Sequence, residues 1–290
     1  MELITWRGTP GVGDFMWALN SAHNYCYQYN KKVTLEFHWE HEKDHLHHFE
    51  DPETIIERLE YMHNFYHRQE DVTVKHVYAQ KTRYSGWKFS DDLVKEDDGS
   101  VRIMAKNRPN KKRFWFESGV YHDKEGSNKG APNNNWIFRE DAFRKTDKKK
   151  VVIWRPTFNA EVPRTWKRTL THEEWDDIIS LLRQGGLNVV ELTYRTPISE
   201  AMYHISTCRQ IVCYDGMWHY IARNFCKPMV VMSGEGITSY HTPQAIKTNK
   251  KKDNPRNIYY WFSSISKVLG ESKQKAVDYE KRCRQFYQDR

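Results

Sequence analysis

Between residues 151 and 232, short runs of β-branched and aliphatic residues alternate with helix-patterned segments, and this alternation limits the possible folds most sharply. Val151-Val-Ile-Trp154 reads as a buried strand. Thr171-His-Glu-Glu174 is a capping box, in which the threonine oxygen accepts from the N–H three residues on and the glutamate reaches back. It opens a helix through Arg183, and Gly185-Gly186 ends that helix because glycine takes the left-handed conformation without steric cost. Asn188–Leu192 then reads as a strand, Ile198–Ile205 as a helix, Gln210–Tyr214 as a strand, Met217–Phe225 as a helix and Met229–Met232 as a strand. Strands that are apolar throughout, with no apolar–polar alternation, suit a parallel sheet covered on both faces. The prediction is one half of a doubly wound α/β layer.

The amino-terminal part repeats the theme less cleanly. Glu2–Trp6 reads as a strand, Arg7-Gly-Thr-Pro-Gly-Val-Gly13 as a turn, and about 14–28 as a helix. Val33–Trp39 and Val72–Tyr78 read as strands. Asp51-Pro52 starts a helix as N-cap and first-turn proline, with Ile55, Ile56, Leu59, Met62, Phe65 and Tyr66 at helical spacing. Residues 80–147, rich in Asn, Gly, Lys and Asp, read as hairpins and loops, and Ile258 to Tyr287 as two helices. The expected organisation is two α/β halves meeting near Asp147–Lys150. The first, 1–150, carries a basic insertion at about 80–147, and the second, 151–290, carries terminal helices.

Charge is unevenly distributed. The 290 residues have a formal net charge of +8, made of −7 over residues 1–100, +8 over 101–150 and +7 over 151–290. Basic clusters occur at Lys106–Arg113, Arg144–Lys150 and Lys247–Arg256, each of which alone reads as a solvated loop. Together they suit a polyanionic partner. Lys106, Arg108, Lys111, Lys112 and Arg113 with Trp115 combine phosphate-binding cations with a stacking face, the combination a nucleic acid needs. An aromatic content of 14% argues against disorder. The five cysteines lack CxxC spacing and sit in apolar runs, so reduced buried thiols in a cytoplasmic protein are expected. No apolar run is long enough for a membrane span, and Met1–Trp6 has no signal-peptide pattern. The group His38, His41, His45, His47 and His48 with Glu40, Glu42 and Asp44 fits no standard metal spacing and reads as a solvated loop.

In open α/β folds, ligands meet residues just past the carboxyl ends of strands. In the second half these are Arg155–Asn159, Thr193–Arg195, Asp215–His219 and Ser233–Gly236. Arg164, Trp166 and Lys167 fall in the loop before the capped helix, with cations suited to a diphosphate. In the first half, Gly13-Asp14 closes a glycine-rich turn at a helix start. The turn lacks the Gly-Lys-Ser/Thr of a phosphate loop, and Met16 stands where a dinucleotide fingerprint has its third glycine. By itself Asp14 reads as an N-cap.

The segment Ile198–Met232 resembles the donor-binding half of GT-B glycosyltransferases, and in particular the ADP-heptose:lipopolysaccharide heptosyltransferases. That family has a D-[ST]-G-x-x-H turn into a helix, then a Lys-Pro pair and an apolar strand. Gly216-Met-Trp-His219 and Lys227-Pro228 match, while Asp215 stands where the family has Ser or Thr and Tyr214 where it has Asp. The loop with Arg164, Trp166 and Lys167 resembles the family's Lys-x-Trp-Pro loop with altered order and no proline. Gly13-Asp14 matches the family's Gly-Asp turn. The likeness covers about residues 2–30 and 151–235.

The resemblance implies two facing Rossmann-like domains with a cleft between them and a nucleotide-sugar donor along the second. Arg164, Lys167, Arg155, His219, Asp215, Gly216, Thr193 and Gly13 are the implied donor contacts, and Asp14 the implied general base. No Asp-x-Asp signature is present, so cationic side chains are expected to stabilise the leaving diphosphate without metal or cofactor. Two acceptors are open: a saccharide such as lipopolysaccharide, the family default, or double-stranded DNA, as in glycosyltransferases of T-even-like bacteriophages that modify hydroxymethylated cytosine. The basic 101–150 segment, in the acceptor half, favours DNA. A non-catalytic nucleic-acid-binding protein is the reading from another class.

Overall fold

The computed structural model describes residues 2–6, 30–40, 52–79, 94–95, 101–104, 138–155, 172–193, 195–213, 217–233, 245–249 and 265–288, with helical positions between 16 and 27. The chain divides into two compact units, Met1–Trp136 and Ile137–Arg290.

The first unit holds a five-stranded sheet of β1 (Glu2–Trp6), β2 (Val33–Glu40), β3 (Val72–Ala79), β4 (Val94–Lys95) and β5 (Val101–Met104), in the order β3-β2-β1-β5-β4. β1 pairs in parallel with β2 and β5, and β2 with β3, while the short β4 runs antiparallel at the edge. Helical residues Met16, Leu19, Ala22 and Cys26 recur at three- and four-residue intervals and are buried. They share a core with Ile55, Leu59 and Met62 of α1 (Pro52–His63) and with Val33, Leu35 and Phe37 of β2. A polar seam joins the two helical segments. Tyr66 Oη donates to Asn20 Oδ1, and the His23 ring stacks on Tyr66 at 4.2 Å and lies 5.1 Å from the His63 ring.

Those imidazoles make the first unit acid-sensitive. Burial is the first cause that pushes His23 well below its ordinary range, with the His63 and His67 charges adding to it. Burial likewise takes His63 from 6.5 to about 4. Both rings are held neutral in the fold, so below pH 6.5 the unfolded chain binds more protons. Stability is complete above that pH and is lost as pH falls toward about 4, at up to ~1.4 kcal/mol per pH unit for His63. Urea midpoints measured from pH 7.5 to 4.5 should fall over this window, and His63→Gln should flatten the slope. An unchanged slope in that variant contradicts the assignment.

The second unit is an all-parallel sheet ordered β10-β9-β8-β6-β7. Its strands are β6 (Lys150–Trp154), β7 (Asn188–Leu192), β8 (Gln210–Cys213), β9 (Met229–Ser233) and β10 (Ala245–Asn249). Three helices connect them: α2 (His172–Gln184), α3 (Ile198–Thr207) and α4 (Met217–Asn224). Trp175, Ile178, Ile179 and Leu182 form one stripe of α2 and pack against Val151, Ile153, Val212 and Val230. Successive strand residues point to opposite faces, so Val152, Ile211 and Val231 are offered to the other side of the sheet. All eight residues of α4 are buried, because it is covered in turn. Phe138 N–H donates to Asn224 O at 2.9 Å, its ring meets Phe225 at 4.8 Å, and Arg223 Nε reaches Tyr279 Oη at 3.2 Å.

Two elements of the second unit differ from the sequence reading. Lys247, read as the start of a basic loop, lies in β10, a parallel edge strand. Lysine on an edge strand is ordinary, since charge there discourages pairing with another chain. Among the described residues of the carboxyl-terminal segment there is one continuous helix, α5 (Ile265–Gln288), running through Gly270. Ser272, Ala276, Tyr279 and Cys283 recur at helical spacing on its buried face, and that packing outweighs the helix-weakening glycine.

α2 ends in a complete Schellman motif. Gly186 N–H donates to Arg183 O at 3.0 Å and Leu187 N–H to Leu182 O at 3.1 Å, with Gly186 at φ 75°. A Cβ at Gly186 would meet nothing within 4 Å, so the cost of Gly186→Ala is backbone strain alone. The expected loss is about 1 kcal/mol in urea denaturation, and no loss would contradict the left-handed assignment.

Candidate active site at the carboxyl edge of the second sheet

In the second unit the chain leaves β6 toward β7 on one side, and later enters β8 on the other. The crevice between β6 and β8, at their carboxyl ends, is therefore the topological switch point where α/β sheets take ligands. Trp154 of β6 pairs with Cys213 of β8 there, so the segments after residues 154 and 213 leave the sheet side by side. The second of these leads into the amino terminus of α4, where the helix dipole favours an anion. In the first unit the equivalent point lies between β1 and β5.

Three of the residues proposed from sequence fall among the described ones at this edge. Arg155 follows β6 directly, but its guanidinium is already engaged. One nitrogen reaches Asp176 Oδ1 of α2 at 2.5 Å and the other Glu191 Oε2 of β7 at 3.4 Å. Glu191 also meets Arg183 at 3.3 Å. Since β7 and β8 flank β6 on opposite sides, these carboxylates hold the Arg155 charge on the β7 side, away from the β6–β8 crevice. Sequence reasoning treated Arg155 as a free cation and missed its partners. The signal was present, because Glu191 is the only charged residue in Asn188-Val-Val-Glu-Leu192 and a charge in such a strand needs a counterion.

Thr193, past the end of β7, closes a small turn. Its N–H donates to Thr196 Oγ1 at 2.9 Å, and its own hydroxyl accepts from Arg195 N–H at 3.2 Å. It is exposed and stands at the edge strand, not at the switch point. His219 lies in the first turn of α4, is 1% exposed, and has its ring 4.0 Å from that of Tyr220. Lys227, matched to the Lys-Pro pair, precedes β9 and so stands at the opposite, amino edge of the sheet; its ammonium donates to Thr146 Oγ1 at 3.3 Å.

Gly13, Asp14, Arg164, Lys167, Asp215 and Gly216 lie outside the described residues, as do Lys106, Arg108, Lys111, Lys112, Arg113 and Trp115. All five cysteines are free and buried, and burial raises the Cys208 thiol to about 12, which leaves it protonated and unreactive at neutral pH. Among the described residues no helix is long and apolar enough to cross a membrane.

No protein-family model matches the sequence, and no curated protein matches it. Among solved structures, the chain is similar to Escherichia coli ADP-heptose lipopolysaccharide heptosyltransferase II at 12% identity and a TM-score of 0.52, over 94% of this chain and 100% of that one. It is also similar to the E. coli heptosyltransferase WaaC, solved with ADP, at 12% identity and a TM-score of 0.51, over 95% and 99%. At such identities the shared property is the fold, and the chain has an α/β fold like that of these heptosyltransferases, with a largely parallel sheet in the first unit and an all-parallel one in the second.

Proposed function

We propose that the chain is a GT-B glycosyltransferase that moves a sugar from a nucleotide-sugar donor to the hydroxyl of a saccharide acceptor of the lipopolysaccharide kind. The observation that carries this reading is the fold likeness along nearly the whole of both chains, with one neighbour solved with ADP. The doubly wound second sheet supports a donor at its β6–β8 crevice, with the diphosphate against the amino terminus of α4 and the cations Arg164 and Lys167. Arg155, tied to Asp176 and Glu191, serves in this reading by bracing the end of β6. Asp14 is the general base. It takes the proton of the acceptor hydroxyl as that oxygen attacks the anomeric carbon, and the bond from that carbon to the diphosphate oxygen breaks. Positive charge and the helix dipole at the departing diphosphate lower the barrier because its negative charge grows in the transition state.

A DNA acceptor rested on Lys106–Trp115. Those residues lie outside the described ones, and both neighbours are named for lipopolysaccharide heptosyl transfer or as heptosyltransferases, so the saccharide is the better-supported acceptor. The test supplies a panel of nucleotide sugars with either a truncated lipopolysaccharide core or duplex DNA containing hydroxymethylcytosine. Nucleotide release and sugar addition should occur with the saccharide. Sugar on the DNA alone would reverse the acceptor assignment.

A further inference from the structure

The second unit has a cavity of about 710 Å³ at the edge of its sheet opposite the candidate active site. Thr146 and Lys148 precede β6, Cys208 and Arg209 precede β8, and Lys227 and Pro228 precede β9. Because these strands are parallel, all three segments meet at the amino edge, and α5 closes the space. Five cations line it: Arg144, Lys148, Arg209, Lys227 and Lys273. The one acid, Glu280, is shared: its Oε1 accepts from Arg284 Nε at 2.9 Å and Arg284 Nη2 at 2.8 Å, and its charge also favours the Lys227 ammonium. Among the described residues none of the five cations forms an ion pair.

Five cations against one acid leave the cavity with an excess of positive charge, which attracts an anion. Lys227 is 6% exposed, and its burial lowers the ammonium's affinity for its proton. Like charges around one concavity repel, and a low-dielectric wall screens them poorly. The lining also has an apolar part, where Phe143 and Phe225 meet edge to face at 5.9 Å. Cations and aromatic rings lining one cavity suit a molecule that is anionic at one end and flat or hydrocarbon at the other.

We propose that this amino-edge cavity is a second ligand site, separate from the donor crevice, that binds a small organic phosphate. Its phosphate meets Arg209, Lys227 and Lys273, and its apolar part lies against Phe143 and Phe225. Bidentate arginine contacts and charge-assisted bonds supply affinity, and ring contact separates an organic phosphate from the inorganic ion.

The test is calorimetric titration of the full chain with phenyl phosphate, inorganic phosphate and benzyl alcohol at low salt. Phenyl phosphate should bind more tightly than either fragment and weaken with added salt. Arg209→Glu and Lys273→Glu, both at exposed positions, should each weaken it by about tenfold or more, the effect of one lost charged hydrogen bond. Lys281→Glu, the same charge change on α5 outside the cavity, should leave binding unaltered. Wild-type affinity in the two cavity variants, or equal weakening by Lys281→Glu, would overturn the site. Neither result depends on transferase activity, so failure here leaves the donor reading standing.

Discussion

Asp14→Asn should lower turnover by about 10²–10⁴-fold while leaving the donor's Kd within about a factor of two, because an amide cannot take the acceptor's proton but still fills the same volume. The choice of asparagine matters. The sequence pattern around Asp14 is that of a helix start, where an N-cap carboxylate is the ordinary explanation, and asparagine caps a helix as well as aspartate does. A residue that only caps would leave Asp14→Asn with near-normal turnover. Steady-state kinetics together with donor titration separate the roles. Lost turnover with unchanged donor binding is the expected pattern, and parallel loss of both, or of neither, would contradict general-base catalysis. A non-catalytic nucleic-acid binder would show no turnover in either form.

The largest stability effect is expected at Trp175. Its side chain is fully buried on α2, against Val151, Ile153, Val212 and Val230 from three strands. Trp175→Ala removes the transfer free energy of the indole and leaves a space that the surrounding strands cannot close. The expected cost is about 3–5 kcal/mol. Against a total of roughly 5–15 kcal/mol for a domain, that brings the second unit near its unfolding threshold. Urea denaturation followed by tryptophan fluorescence reads it, using the other ten tryptophans. A cost below about 1 kcal/mol would mean that α2 is not seated on the sheet as described.

The contrast between β6–β9 and β10 explains how much of the fold the sequence disclosed. Val151-Val-Ile-Trp154 and Met229-Val-Val-Met232 announce themselves because buried parallel strands are apolar on both faces and are bounded by caps and glycines. Ala245-Ile-Lys-Thr-Asn249 has one strongly strand-forming aliphatic residue, and its charge makes it look like loop. Only the neighbouring β9, a partner remote from local sequence, makes it a strand. Likewise Gly270 suggests a break in the last helix, and its continuity is set by the buried positions from Ser272 to Cys283. Phe138 to Asp147 read as decoration of the first half, yet Phe138 and Phe143 contact Phe225, and Asp147 N–H donates to Thr207 O at 2.8 Å.

The site was less legible than the fold. Strand ends identify positions but not pairings, so Arg155 could be placed at the sheet edge while the carboxylates that claim it could not. Thr193 was legible as a loop residue, though its role in a hydroxyl-closed turn depends on Thr196 three positions later. The amino-edge cavity left no local trace because its cations come from segments far apart in sequence, around residues 144–148, 209, 227 and 273. Cations that converge only through topology cannot be read as a cluster from the chain alone.

Hydrogen–deuterium exchange with and without a bound nucleotide sugar tests the central claim most directly. The account predicts slowed exchange around residues 154–167 and 213–219, at the carboxyl ends of β6 and β8, with the amino-edge segments at 144–148 and 226–228 unchanged. Protection confined to the amino edge, or to the first unit, would show that the donor is not held at the β6–β8 crevice.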